Sequence, residues 1–129
     1  MHQTRILKAF LVVIVLSTFV GQAAAKGKKK TLDGYLVDIS CVNERSNELS
    51  TLGIVHTKQC LEMGPCSRSG YALLTRDRKV IKFDPAGNQQ ASKLIAASDQ
   101  KNDFRIKVSG RVDGDQMTVS ELTLLPPEE

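Results

Sequence analysis

Phe104-Arg105-Ile106-Lys107-Val108-Ser109-Gly110-Arg111-Val112 decides the fold. Apolar residues alternate with charged or polar ones, so one face of a strand is buried and the other is wet. Gly110 falls on the apolar face, where a barrel strand bends or bulges. Asp113-Gly114 is a strong hairpin signal. Met117-Thr118-Val119-Ser120-Glu121-Leu122-Thr123-Leu124 then returns as a partner strand. Its apolar positions are odd before Ser120 and even after Glu121, which predicts a bulge between them. Pro126-Pro127 ends the pattern.

Working toward the N-terminus, Asp84-Pro85-Ala86-Gly87-Asn88 is turn chemistry ahead of a helix over Gln89 to Ala97. Asn88 is a good N-cap for it, and Asp84 with Pro85 as first helical residue is the competing start. Ala91, Leu94, Ile95 and Ser98 share its narrow face. Gly70 to Thr75 and Lys79 to Phe83 form a hairpin about Arg76-Asp77-Arg78. Leu32 to Ile39 is a first strand, with Tyr35, Val37 and Ile39 on one face and Leu36 and Asp38 on the other. Between Cys41 and Gly70 strand alternation is absent, and only Thr57 to Met63 reads as a helical turn or two, stopped by Gly64-Pro65. So long a connection in a small domain is usually functional or cross-linked.

The expected fold is mainly β: a small five-stranded OB-like (oligonucleotide/oligosaccharide-binding) barrel. One helix lies between strands three and four, and a long Cys/His loop joins strands one and two. Closure removes the exposed edges of such short strands. An open antiparallel sheet with one packed helix is the alternative.

Residues 1–25 read as a secretory signal peptide. Arg5 and Lys8 are followed by an apolar run from Ala9 to Val20, and Ala23-Ala24-Ala25 is a small-x-small cleavage site. The run is short for a membrane span, which takes roughly 20 residues; an uncleaved anchor is the alternative. Residues 26–31 are expected to be a flexible Lys-rich lead-in, and 32–125 the barrel domain. Of the formal net charge of +4, Arg5 and Lys8 carry two units, and Lys26, Lys28, Lys29 and Lys30 carry four. The remaining body is therefore slightly acidic. This argues against a nucleic-acid partner and leaves a weak attraction of the lysine cluster to anionic lipid as a minor reading. A periplasmic or secreted location follows from the signal peptide. Any partner is expected there, as a periplasmic protein or a metal, with no membrane span after cleavage.

All three cysteines and the one histidine besides His2 lie in the long connection, as Cys41-x14-His56-x3-Cys60-x5-Cys66. His56 and Cys60 are four apart, which on a helix puts both on one face about 5–6 Å apart at Cβ. Four N/S donors match a tetrahedral site in kind and number. With Met63 nearby, the softness of the set favours Cu(I), and Zn(II) is the other candidate ion. No C-x2-C pair is present. An export signal also predicts oxidising conditions. Three cysteines then give one disulfide and one odd thiol, and Cys41, Cys60 and Cys66 allow three pairings. Such a bridge would stabilise the domain by about 2–4 kcal/mol. Both accounts stand on the residues. Thiol redox catalysis lacks its C-x-x-C, nothing positions Ser40, His56 and Asp38 as a triad, and no enzymatic activity is expected. Asp38 reads as a hydrogen-bonded carboxylate anchoring the loop, or as a partner orienting a histidine ligand.

Four segments carry a resemblance: Gly34-Tyr35-Leu36-Val37-Asp38-Ile39-Ser40-Cys41, His56-Thr57-Lys58-Gln59-Cys60, Cys66-Ser67-Arg68-Ser69-Gly70-Tyr71 and Lys82-Phe83-Asp84-Pro85-Ala86-Gly87-Asn88. With the V-x-G element Val108-Ser109-Gly110, they resemble a family of small exported bacterial proteins of uncharacterised function. The resemblance implies an OB-like barrel and groups Cys41, His56, Cys60 and Cys66, and it implies no reaction. The expected function is a non-enzymatic binding or structural module with a disulfide-tied loop; the alternative is a soft-metal (Cu/Zn) binding protein.

Overall fold

The computed structural model describes residues 26–127; the expected signal peptide lies outside them. Five strands close into a barrel: β1 (Lys28–Asp38), β2 (Tyr71–Leu74), β3 (Val80–Phe83), β4 (Arg105–Asp113) and β5 (Gln116–Leu124). Their order around it is β1-β2-β3-β5-β4, with β1 also pairing β4. This is the OB arrangement. All pairings are antiparallel except the short β3–β5 contact at Lys82↔Gln116 and Phe83↔Met117.

The expected bulge is present. Ser109 pairs Glu121 and Gly110 pairs Val119, which leaves Ser120 as the extra residue. A Cβ on Gly110 would collide with the Thr118 carbonyl, so only glycine allows the backbones to approach there. Helix α5 (Pro85–Ala97) takes the earlier of the two expected starts. Asp84 Oδ1 accepts from Gly87 N at 3.0 Å and from Val119 N at 3.0 Å, so one carboxylate caps the helix and serves the strand beside the bulge. Asn88 instead accepts from Tyr71 N at 2.8 Å, joining α5 to β2. Gly87, Ala91 and Ile95 are the buried face of α5.

Two expectations change. The lysines of the 26–31 lead-in enter the barrel: Lys28, Lys29 and Lys30 pair with Val112, Arg111 and Gly110. Backbone pairing against a long β4 needs no apolar side chains, so their polarity hid the strand. The long connection is helical, with α1 (Ile39–Glu44), α2 (Leu49–Val55), α3 (Lys58–Glu62) and α4 (Gly64–Ser69). Helix and strand residues are therefore about equal in number.

The four short helices explain a two-part core. Leu36, Leu73, Ile81, Phe83, Ile106, Val108, Met117 and Val119 fill the barrel with Ala91 and Ile95 of α5. Val37, Ala72 and Leu74 point outward and are covered by Val42 of α1 and Leu52 of α2. β2 is thus buried on both faces, and Tyr71-Ala72-Leu73-Leu74 is a continuous apolar run rather than an alternating one. Gly53 of α2 lies directly on the Tyr35 ring, where a Cβ would clash.

Candidate metal centre

Asp38 is the last residue of β1 and lies on the same face as Leu36, so its carboxylate enters the barrel end and is fully buried. It also caps α1: Oδ1 accepts from Cys41 N at 2.9 Å. The second oxygen, Oδ2, is 2.7 Å from His56 Nε2. His56 terminates α2, with its N–H donating to Leu52 O at 2.9 Å, and is 4% exposed. An ionised carboxylate only accepts, so Nε2 carries the hydrogen of this bond.

Two hydrogen bonds bring α1 and α4 together at this point. Ile39 N donates to Gly70 O at 3.0 Å, and Ser40 N donates to Ser69 Oγ at 3.0 Å. Cys41 sits in α1 and Cys66 in α4, 8% exposed. Their Sγ atoms and a carboxylate oxygen of Asp38 all lie within 4.8 Å of one another. Tyr71 is buried, and its hydroxyl donates to Leu61 O at 2.8 Å, fixing α3.

The local charge follows from burial. For Asp38, burial acts to raise the pKa, but the hydrogen bonds from His56 and from Cys41 N–H outweigh it, so the carboxyl stays below its ordinary range. The Cys41 thiol is pushed up to about 12, by burial first and then by the Asp38 charge. Burial and Asp38 also raise the Cys66 thiol. A nucleophilic cysteine needs a lowered value, so these thiols are not set up for attack on a substrate. A cation at this point reverses the balance, because it takes the thiol protons' place beside a fixed negative charge.

Cys41 and Cys66, two of the four expected donors, converge. His56 joins them through Asp38. Cys60, in α3 with its N–H capped by Thr57 Oγ1 at 3.1 Å, is outside the three-donor group. The expected helical face shared by His56 and Cys60 does not form. His56 has φ −68 and ψ 121, which ends α2, and Thr57 starts a new helix. Asp38 is the donor that cysteine spacing did not supply. Its signal was a carboxylate at the barrel end of an apolar strand face, with Cys41 three residues on, the distance over which an N-cap reaches.

A tetrahedral ion about 2.3 Å from each sulfur holds its donors about 3.5–3.8 Å apart. With all three donors within 4.8 Å, the group needs a contraction of at most about 1 Å to ligate. Fold and site together define a small OB-like barrel whose helical cap holds a carboxylate–dithiol cluster backed by a histidine. No family model, curated protein or solved structure matches the chain. Among the described residues no helix is long and apolar enough to cross a membrane.

Proposed function

We propose that this chain is an exported, non-enzymatic soft-metal-binding protein. Its ligands are Asp38, Cys41 and Cys66, and His56 holds Asp38 in place. One observation carries the reading: three donor atoms from two separate helices and a strand end converge within 4.8 Å around a carboxylate already bound to histidine. Two thiolates with one carboxylate suit Zn(II), and the thiolates alone suit Cu(I). The raised thiols argue against cysteine catalysis. Export is supported by the charged, apolar and Ala-x-Ala features of the N-terminus.

Titration of the reduced protein with Co(II), a spectroscopic stand-in for zinc, tests the ligand set. Sulfur-to-cobalt absorption is expected at one ion per chain in the natural sequence and in Cys60→Ser. Cys41→Ser and Cys66→Ser are expected to lose it. Equal absorption in all four proteins would overturn the assignment.

A further inference from the structure

The two sulfurs that converge on Asp38 belong to different helices, and those helices are joined at neighbouring ends by the Ile39–Gly70 and Ser40–Ser69 hydrogen bonds. Their Sγ atoms are at most 4.8 Å apart. A disulfide places them at about 2.05 Å, so rotation of the two side chains with a small approach of α1 to α4 has under about 3 Å to close. The third cysteine, Cys60, lies outside this group. The pair that can hold an ion is therefore also a pair that can bridge.

We propose that Cys41 and Cys66 form a redox switch on the metal centre: as thiolates they hold the ion, and oxidation by a peroxide converts them to a disulfide and releases it. The switch rests on the metal reading above. Cys41 is partly exposed and Cys66 is nearly covered, so Cys41 meets the oxidant first. Held as a thiolate by the ion rather than as the protonated thiol of the metal-free site, its sulfur attacks one peroxide oxygen, the O–O bond breaks, and a hydroxide leaves and is protonated to water. Cys41 is now a sulfenic acid. The Cys66 thiolate attacks that sulfur, the S–O bond breaks, and a second hydroxide leaves to become water. The two sulfurs lose two electrons to the peroxide, and two protons from solvent complete the two waters. The disulfide no longer offers thiolate ligands, Asp38 alone remains, and the ion departs. A dithiol reductant reverses the step by thiol–disulfide exchange.

The test uses the full mature chain, reduced, loaded with zinc and freed of excess metal. Zinc content is measured before hydrogen peroxide is added. Zinc release is then followed with a colorimetric chelator, and the cysteines are mapped by alkylation and peptide mass spectrometry. One zinc released per Cys41–Cys66 bridge is expected, with Cys60 still alkylated and zinc binding restored by dithiothreitol. Cys60→Ser is expected to release zinc as the natural sequence does. Zinc retained after the bridge forms, or lost with no bridge or with a bridge through Cys60, would overturn the switch. A reduced chain that takes up no zinc at the outset would overturn the metal reading and the switch with it, and that outcome is visible before any oxidant is added.

Discussion

His56 Nε2 lies 2.7 Å from Asp38 Oδ2, and both side chains are shut away from water. One bond thereby fastens the end of α2 to the end of β1. The other Asp38 oxygen starts α1. Removing the imidazole leaves a buried carboxylate with half of its partners. His56→Ala is expected to destabilise the domain by about 3–5 kcal/mol, the cost of breaking a buried pair from one side. His56→Gln, which keeps an N–H donor, should lose less. Urea unfolding of the metal-free proteins at neutral pH measures both, and an unchanged midpoint for His56→Ala would contradict the role.

Acid should loosen the same joint. The folded carboxyl titrates below its ordinary value of 3.8, so the unfolded chain binds the proton more readily. The contribution of Asp38 is thus fully present above that ordinary value and is lost as pH falls through the lower folded one. In metal-free protein the unfolding free energy is expected to drop across that acid range. Asp38→Asn should flatten the drop while being less stable at neutral pH. Denaturant curves at several acidic pH values check it, and equal slopes for the two proteins would count against it.

Gly53 is expected to resist any side chain, because the Tyr35 ring occupies the space a Cβ would take. Gly53→Ala should cost about 1–3 kcal/mol by overpacking. In a Tyr35→Ala background the same change should be nearly neutral, since the obstructing ring is gone. A double-mutant cycle reads this coupling directly, and additive losses would show that the two residues do not meet.

Thiol reactivity should divide the cysteines. Cys66 is covered, and Cys41 ionises only near 12. Cys60 is partly exposed and lies apart from the carboxylate. In native, reduced, metal-free protein, iodoacetamide at mildly alkaline pH is expected to label Cys60 well before the others. Peptide mass spectrometry over a time course follows it. Equal labelling rates would mean that Asp38 does not govern the pair.

Much of the barrel was legible because β4 is buried on one face and wet on the other, which writes itself as alternation. The switch of parity around Ser120 gave the bulge for the same reason. Lys28 to Lys30 were not legible as strand, since their pairing is purely through backbone. The site was half legible. Cys41 and Cys66 could be picked as chemistry-bearing residues, but their meeting depends on how four short helices fold back over β1 and β2. His56 and Cys60 sit at helical spacing, yet the helix ends at His56 and a new cap at Thr57 starts another, which cancels that spacing. Local sequence says little about such breaks, because the Asp38 bond that fixes His56 is eighteen residues away in the chain.

Asp38, Cys41 and Cys66 are proposed to hold an ion. Metal content of the chain purified under reducing conditions, measured by elemental mass spectrometry together with a free-thiol count, tests it most directly. One zinc or copper per chain, lost on Cys41→Ser and on Cys66→Ser, is the result predicted. A reduced, folded chain that carries no thiophilic metal, and takes up none when it is supplied, would contradict it.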